Sequence, residues 1–210
     1  MKLFITYLLS AFAFLPSAFA QGQISQVDYA AAPGDRAVRN SGGTGVANGN
    51  QVWIGTFNPG FDLFNNGDDP VDLLANWHHF GSTTTRTISQ PGQFTGSSFS
   101  DNPFFGNKPI YLWIFSTDFA AAPTPDFSNV NEYGLFSSTL PNWTFSPDPP
   151  PNNSTEVYSD EVNLAFAGSF NSTHLILAAF TPIPEPTTLG LLCLGLPATI
   201  LALRKRRSNR

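Results

Sequence analysis

Residues 109–116 read PIYLWIFS, and this run decides the fold. Its aliphatic and aromatic side chains alternate, with Ile110, Leu112 and Ile114 set against Tyr111, Trp113 and Phe115. Because successive side chains of a strand point to opposite faces, such a strand is apolar on both faces. That pattern is typical of a central strand between two other layers of structure. We therefore expect its aromatic side chains in the core rather than on the surface.

Further strands are predicted on both sides of this run, because short β-prone segments alternate with turn residues. A β-branched and aromatic segment at 51–57 ends in the turn sequence Asn58-Pro59-Gly60. The other predicted strands lie at 82–89, 132–137, 143–145, 155–166 and 173–180. Gly-rich and Asn-rich residues at 31–50 predict a loop, and the prolines of 146–153 predict a surface connector because proline lacks the backbone donor.

One helix is predicted after the first of these turns. Asp69 is placed as its N-cap and Pro70 as its first residue, apolar side chains recur along one side, and Gly81 ends it. His78 and His79 would then lie near its C-terminus, where the helix dipole favours them. The sequence therefore predicts an all-β fold, a single β-sandwich or jelly-roll-like domain with one short helix, over residues 21–181.

The N-terminus has the pattern of a secretory signal peptide. Lys2 precedes an apolar run at 3–15, and the small residues Ala18 and Ala20 follow. This order predicts a signal helix at 1–20, recognition by the secretion translocon and cleavage after Ala20. The alternative is a buried N-terminal helix that stays with the domain.

The C-terminal residues 182–210 contain three elements in a fixed order. They are the motif Pro184, Glu185 and Pro186, the uncharged segment 187–203, and the basic cluster 204–210 with Arg204, Lys205, Arg206 and Arg207 at its start. Seventeen helical residues reach about 26 Å, close to the roughly 30 Å of a bilayer core. A transmembrane helix at 187–203 is predicted, with the basic cluster in the cytoplasm and residues 21–181 outside the inner membrane.

This tail resembles the PEP-CTERM sorting signal of Gram-negative bacteria. The resemblance implies that an exosortase, a membrane-embedded protease, recognises the tail and cuts near Pro184, Glu185 and Pro186. It also implies an inner-membrane-anchored precursor that is later displayed at the cell surface or in the extracellular matrix. Association with extracellular polysaccharide follows from the resemblance alone. The alternative is an ordinary single-span anchor with a proline-rich stalk. The succession of strands also resembles uncharacterised PEP-CTERM ectodomains, to which no activity belongs.

The charge of residues 21–181 limits the partners of the domain. Four basic residues stand against fourteen acidic ones, which gives a net charge of −10. Nucleic acid is not an expected partner, because its phosphates require clustered Lys and Arg. Divalent cations and neutral polysaccharide suit this charge better. The single cysteine, Cys193, lies in the tail, so the domain has no disulfide and no thiol nucleophile.

Few residues of the domain form a recognisable chemical site. No Gly-x-Ser-x-Gly sequence occurs, so a serine hydrolase of that type is not expected. Adjacent helical histidines point about 100° apart, which argues against metal chelation by His78 and His79 together. No cofactor is predicted, although the acidic clusters at 65–69 and 159–161 leave calcium open. Asp69 already has a role as a helix cap.

The leading hypothesis is a non-enzymatic, exported surface or matrix protein. A carbohydrate-binding module is the first alternative, and it predicts an exposed aromatic platform with a calcium or carboxylate site. A polysaccharide-acting enzyme is the second, and it predicts a cleft with two carboxylates about 5 to 10 Å apart.

Overall fold

A computed structural model describes residues 25–116, 130–147 and 154–180, and these ranges form mostly β-structure. The strands are β1 (Ser25–Ala31), β2 (Ala37–Arg39), β3 (Gln51–Phe57), β4 (Trp77–Thr84), β5 (Phe94–Ser100), β6 (Tyr111–Phe115), β7 (Glu132–Ser137), β8 (Thr155–Tyr158), β9 (Leu164–Ala167), β10 (Ser169–Phe170), β11 (His174–Ile176) and β12 (Ala178–Ala179). The helices are α1 (Leu63–Asn66) and α2 (Pro70–Asn76). The all-β prediction is confirmed; the predicted signal helix, the predicted transmembrane helix and both domain boundaries lie outside the described residues.

The strands make one large sheet and two small ones. The large sheet has the order β12-β7-β6-β3-β4, and β9 pairs with β7 as well. One small sheet has the order β5-β1-β8 and the other β10-β11-β2. Strand β1 pairs antiparallel with β5 and parallel with β8. The beginning and the end of the described chain are therefore both built into sheets.

Strand β6 lies at the centre of the large sheet and is buried on both faces. Leu112 and Ile114 belong to the larger core, with Val27 of β1 and Val157 of β8. Trp113 and Phe115 point to the other face, into a second cluster whose members include Leu63 of α1 and Leu73 of α2. Each fully buried side chain of this size contributes about 1.5 to 3 kcal/mol through apolar burial. The predicted central position of this strand is confirmed.

The predicted helix begins as expected but ends earlier. Asp69 caps α2, since its Oδ1 accepts hydrogen bonds from the backbone N–H groups of Val71 at 2.9 Å and Asp72 at 3.3 Å. The helix ends at Asn76, and Trp77 is already extended, with φ −80° and ψ 132°. The predicted continuation to Gly81 is wrong because residues 77–84 pair with β3 instead.

Both histidines of the predicted helix end are strand residues. His78 pairs with Thr56, and His79 pairs with Gly55. Successive side chains of a strand point to opposite faces, so the prediction of a C-terminal pair stabilised by a helix dipole is wrong. A second helix, α1, was not predicted; its N-cap is Asp62, which accepts hydrogen bonds from the backbone of Phe64 and Asn65.

Several strand boundaries also differ from the sequence prediction. Strands β1 and β5 were not predicted, and β2 lies within the predicted loop 31–50. The predicted strand 143–145 makes only an isolated bridge between Pro109 and Thr144. The predicted strand 155–166 divides into β8, a 3-10 turn at Ser159–Glu161 and β9, and 173–180 divides into β11 and β12.

Candidate functional site

The residues predicted to direct sorting lie outside the described ranges. They are Ala18, Ala20, Pro184, Glu185, Pro186, Arg204, Lys205, Arg206 and Arg207. Within 25–116, 130–147 and 154–180, no helix is both long and apolar enough to cross a membrane.

The last described residue before the tail is held firmly on the large sheet. Phe180 donates a backbone hydrogen bond to the carbonyl of Asn131 at 2.7 Å, and its ring lies 6.0 Å from the ring of Tyr133. The hydroxyl of Tyr133 in turn donates to the carbonyl of Gly67 at 3.1 Å. Burial, helped by the charges of Asp68 and Asp69, raises the pKa of Tyr133 to about 12. Phe180 is therefore attached to β7 of the large sheet, near the residue that follows α1.

A recess of about 210 Å³ lies at one end of the large sheet, where β3 ends and β6 begins. We call it the Lys108 recess; its lining includes Thr56, Asn58, Phe61, Lys108, Pro109 and Tyr111. The antiparallel pairing of Gly55 with Tyr111 brings the two chain segments together. About fifty residues of sequence separate the two walls, so tertiary pairing alone creates this site.

One wall of the Lys108 recess is the turn at 58–61. The backbone N–H of Phe61 donates to the carbonyl of Asn58 at 3.1 Å, and Gly60 has a φ of +83°. Glycine takes that conformation without a steric penalty, and proline suits the preceding position of the turn. The ring of Phe61 stacks on that of Phe57 at 5.5 Å. The turn predicted from the sequence is confirmed.

Lys108 forms the opposite wall, and its backbone is fixed by residue 145. The carbonyl of Lys108 accepts from the backbone N–H of Phe145 at 2.9 Å, while Asn107 donates to the Phe145 carbonyl at 3.0 Å. The Lys108 ammonium lies 4.5 Å from the centre of the Phe104 ring, a cation–π contact. In the described part of the chain, no carboxylate lies within ion-pair distance of this ammonium.

Tyr111 also lines the recess. Its hydroxyl has no hydrogen-bond partner among the residues that the structure describes. Burial raises the pKa of this tyrosine, so the hydroxyl stays neutral near pH 7 and can both donate and accept. The side of its ring contacts Phe57, with 5.2 Å between ring centres.

His78 supports the rim of the recess. Its Nε2 lies 2.6 Å from the Oδ1 of Asn58, and because an amide oxygen only accepts, this nitrogen carries the proton. The Nδ2 of Asn58 donates to the Oδ1 of Asn76 at 3.2 Å. The ring of His78 also packs on Phe104, with 4.0 Å between centres. These contacts hold Asn58 in one orientation.

A second, wider recess of about 560 Å³ contains the acidic side chains of Glu156 and Glu161. The Oε2 of Glu161 accepts hydrogen bonds from Asn142 Nδ2 at 2.9 Å, Trp143 Nε1 at 2.9 Å and the backbone N–H of Tyr158 at 3.2 Å. Glu156 accepts from the Tyr158 hydroxyl at 2.8 Å. Three donors on one oxygen give Glu161 a structural role in joining the segments around residues 142 and 158.

The residues considered for calcium make other contacts. Asp69 caps α2, and Glu161 is held by the three donors described above. In the described ranges, no group of three His, Cys, Asp or Glu side chains is placed to hold a metal ion. Among the described residues, the structure therefore adds no evidence for calcium at the acidic segments 65–69 and 159–161.

The aromatic side chains of the central strand lie where the sequence predicts them. Trp113 and Phe115 are fully buried, and Tyr111 is half-buried with one side toward the Lys108 recess. Lys108 is the sole lysine among the four basic residues of 21–181, and no local sequence pattern predicts its place in the recess.

Residues 182–207 match the PEP-CTERM protein-sorting motif. The match includes the residues Pro184 to Pro186 and extends through Arg207. The PEP-CTERM motif supports an exported protein that is processed by an exosortase. Comparisons of the chain with curated proteins and with solved structures gave no match.

Proposed function

We propose that this chain is a non-enzymatic, exported protein of the cell surface or extracellular matrix. It crosses the membrane through the secretion translocon, loses residues 1–20 and is held as a precursor by the segment 187–203. An exosortase then cuts near Pro184, Glu185 and Pro186 and releases the β-domain for display. The match of residues 182–207 to the PEP-CTERM motif carries this proposal.

The basic cluster that follows the apolar segment supports an orientation with residues 21–181 outside the inner membrane. A cluster of positive charges directly after an apolar segment stays in the cytoplasm, which leaves the PEP residues on the outer side of that segment. Phe180 directly follows β12 and donates a backbone hydrogen bond to Asn131. Only a short connection therefore separates the folded domain from the cleavage region, and we expect cleavage to leave the domain intact.

One observation supports a non-enzymatic role for the β-domain. General acid–base catalysis requires a carboxyl group that is free to exchange a proton with a substrate. In the 560 Å³ recess, the Glu161 carboxylate is instead held by three protein donors. The proposed association with extracellular polysaccharide is supported by the net charge of −10 over residues 21–181, which suits neutral or cation-bridged chains better than phosphate-rich ones.

The test is the intact mass of the protein recovered from cells and medium of the native host. Wild type is expected to lack residues 1–20 and the tail, whereas Glu185→Ala is expected to lack residues 1–20 and keep the tail. Asp101→Ala is the matched control, because it removes an exposed acidic side chain from the domain and leaves the motif unchanged. A tail that is retained in all three proteins would identify a simple membrane anchor and refute exosortase processing.

One observation favours a second function, that of a carbohydrate-binding module. The Lys108 recess is lined by Phe57, Phe61 and Tyr111, aromatic side chains of the kind against which a sugar ring packs. Binding of a soluble oligosaccharide by the processed protein would favour this function over a purely structural role.

A further inference from the structure

We propose that the outward side of the β5-β1-β8 sheet binds a neutral oligosaccharide of pyranose rings. We call this surface the β1 face; it consists of Gln26, Asp28, Ser97, Phe99, Glu156 and Tyr158. Sugar rings lie against Phe99 and Tyr158, and sugar hydroxyls donate hydrogen bonds to the carboxylates between them. This inference gives the proposed polysaccharide association a specific surface, and to that extent it rests on the proposed function.

Strand pairing places these six side chains on one surface. Val27 and Tyr29 of β1 are buried in the core, so the alternate residues of β1 point outward. Residues that pair across neighbouring strands lie on the same side of a sheet. The outward pairs are Gln26 with Phe99, Asp28 with Ser97, Asp28 with Glu156, and Ala30 with Tyr158. A hydrogen bond of 3.4 Å from Gln26 Nε2 to the Ser97 hydroxyl agrees with this arrangement.

Two aromatic rings occupy opposite corners of the β1 face. Phe99 on β5 is 75% exposed, and Tyr158 on β8 is 36% exposed. The Tyr158 hydroxyl donates to Glu156 Oε2 at 2.8 Å, which orients the ring along β8. Strand spacing and rise separate the two positions by about 10 Å across the sheet and about 13 Å along it. A single sugar ring cannot contact both, so the ligand is an oligosaccharide that crosses the strands diagonally.

The charge of the β1 face selects a neutral ligand. None of its six side chains is basic, and Asp28 and Glu156 are paired directly opposite each other. Like charges in this position destabilise a sheet. Sugar hydroxyls that donate to both carboxylates offset this cost, because a hydrogen bond to a charged group is roughly twice as strong as a neutral one. An acidic polysaccharide would bring further negative charge to the same place and is not an expected ligand.

The small area of the β1 face favours a sugar chain over a protein partner. The strand dimensions give the six side chains an area of roughly 200 Å², whereas a standard protein interface buries about 800 Å² on each partner. Glu156 and Tyr158 also line the recess of about 560 Å³, a volume typical of small-ligand sites. An oligosaccharide that passes over Tyr158 can therefore continue into this recess.

The experiment measures binding of cellopentaose, laminaripentaose, mannopentaose, pentagalacturonate and glucose to the processed protein by titration calorimetry. We expect at least one of the three neutral pentasaccharides to bind about tenfold or more tightly than pentagalacturonate and glucose. Phe99→Ala is expected to weaken that binding about tenfold or more, the usual effect of removing a central aromatic contact. Phe64→Ala is the matched control, because it removes a phenylalanine that is 80% exposed on α1, and it is expected to leave binding unchanged.

Glu156→Gln provides a second test that does not depend on the aromatic rings. It removes one carboxylate charge and is expected to weaken binding severalfold, with an unchanged near-ultraviolet circular dichroism spectrum. Failure of all three neutral pentasaccharides to bind, equal binding of pentagalacturonate, or full binding by Phe99→Ala would overturn the proposal. Phe61→Leu alters only the Lys108 recess, and loss of binding in this variant alone would place the ligand there instead. None of these outcomes affects the mass experiment, which tests export and tail cleavage separately.

Discussion

The indole nitrogen of Trp143 donates a hydrogen bond to the carboxylate of Glu161 at 2.9 Å. Trp143 is 1% exposed, so its N–H has to find a partner inside the protein. The same oxygen also accepts from Asn142 and from the backbone of Tyr158. One acidic side chain thus connects two segments that flank the proline-rich stretch of the sequence.

Glu161→Ala is expected to lower the free energy of unfolding by about 2 to 3 kcal/mol, because it leaves the buried indole N–H without an acceptor. Urea unfolding followed by tryptophan fluorescence measures the loss. Glu156→Ala is the matched control, since its carboxylate lies in the same recess and accepts from the Tyr158 hydroxyl alone among the described groups. We expect a loss below about 1 kcal/mol for this control; equal losses in both variants would contradict the structural role of Glu161.

Asp69→Ala is expected to destabilise the protein by about 1 kcal/mol, the usual cost of removing an N-cap side chain. Asp69 accepts from the backbone N–H groups of Val71 and Asp72 at the start of α2. Asp68→Ala removes the adjacent, exposed carboxylate, which has no capping contact, and is expected to change the stability by less than about 0.5 kcal/mol. Denaturant midpoints of the two variants compare them directly, and a larger loss in Asp68→Ala would exclude capping as the cause.

The start of α2 could be predicted from sequence because its signals are local. Asp69 and Pro70 act on neighbouring backbone groups, and no distant contact is needed. The end of the helix could not be predicted in this way. Residues 77–80 are Trp-His-His-Phe, a stretch that fits either structure, and its pairing with β3 makes it a strand. Tertiary pairing overrides a weak local preference here.

Strand β6 could be predicted from the sequence and β5 could not, because only β6 has an unbroken apolar pattern. Every residue of β6 except the half-buried Tyr111 is fully buried, so its apolar pattern is unbroken. In β5, Phe94 alone is buried, and Gly96 and four serine or threonine residues make up most of the remainder. Such a strand is recognisable only through its partner β1. The side-chain alternation of β1 itself, with Val27 and Tyr29 inward, was a signal that could have been used.

The two candidate functional regions also differ in whether the sequence alone predicts them. The PEP-CTERM tail is defined by the order of its residues along the chain, so sequence alone predicted it and the family comparison confirmed it. The Lys108 recess depends on β3 and β6 lying side by side. Asn58 and Lys108 are far apart in sequence, and no spacing rule connects them.

The phenol of Tyr133 is expected to make the stability of the domain depend on pH above neutrality. Burial, with Asp68 and Asp69 nearby, raises its pKa to about 12, from about 10 in the unfolded chain. The unfolded state therefore loses this proton first, and the stabilisation is fully present below pH 10 and is lost as the pH rises to about 12. Two pKa units correspond to at most about 2 to 3 kcal/mol, and solvent screening makes the loss smaller.

Urea unfolding between pH 9 and pH 12 measures this loss, and absorbance at 295 nm reports tyrosine ionisation. Tyr133→Phe is expected to be about 1 kcal/mol less stable at pH 8, since the hydrogen bond to Gly67 is lost, and to show a shallower decline above pH 10. Tyr158→Phe, at a surface position, is the control and is expected to keep the decline. A decline of the same steepness in Tyr133→Phe would show that other groups cause it.

The central position of β6 predicts that Phe115→Ala lowers the free energy of unfolding far more than Phe99→Ala does. Phe115 is fully buried, and its ring lies 5.0 Å from those of both Trp53 and Trp113. Phe115→Ala is expected to cost about 3 to 5 kcal/mol, because it removes apolar burial and leaves a cavity. Phe99 on β5 is 75% exposed, and Phe99→Ala is expected to cost less than about 0.5 kcal/mol. Chemical denaturation of both variants tests the arrangement, since similar losses would mean that residues 111–115 do not form the buried centre of the large sheet.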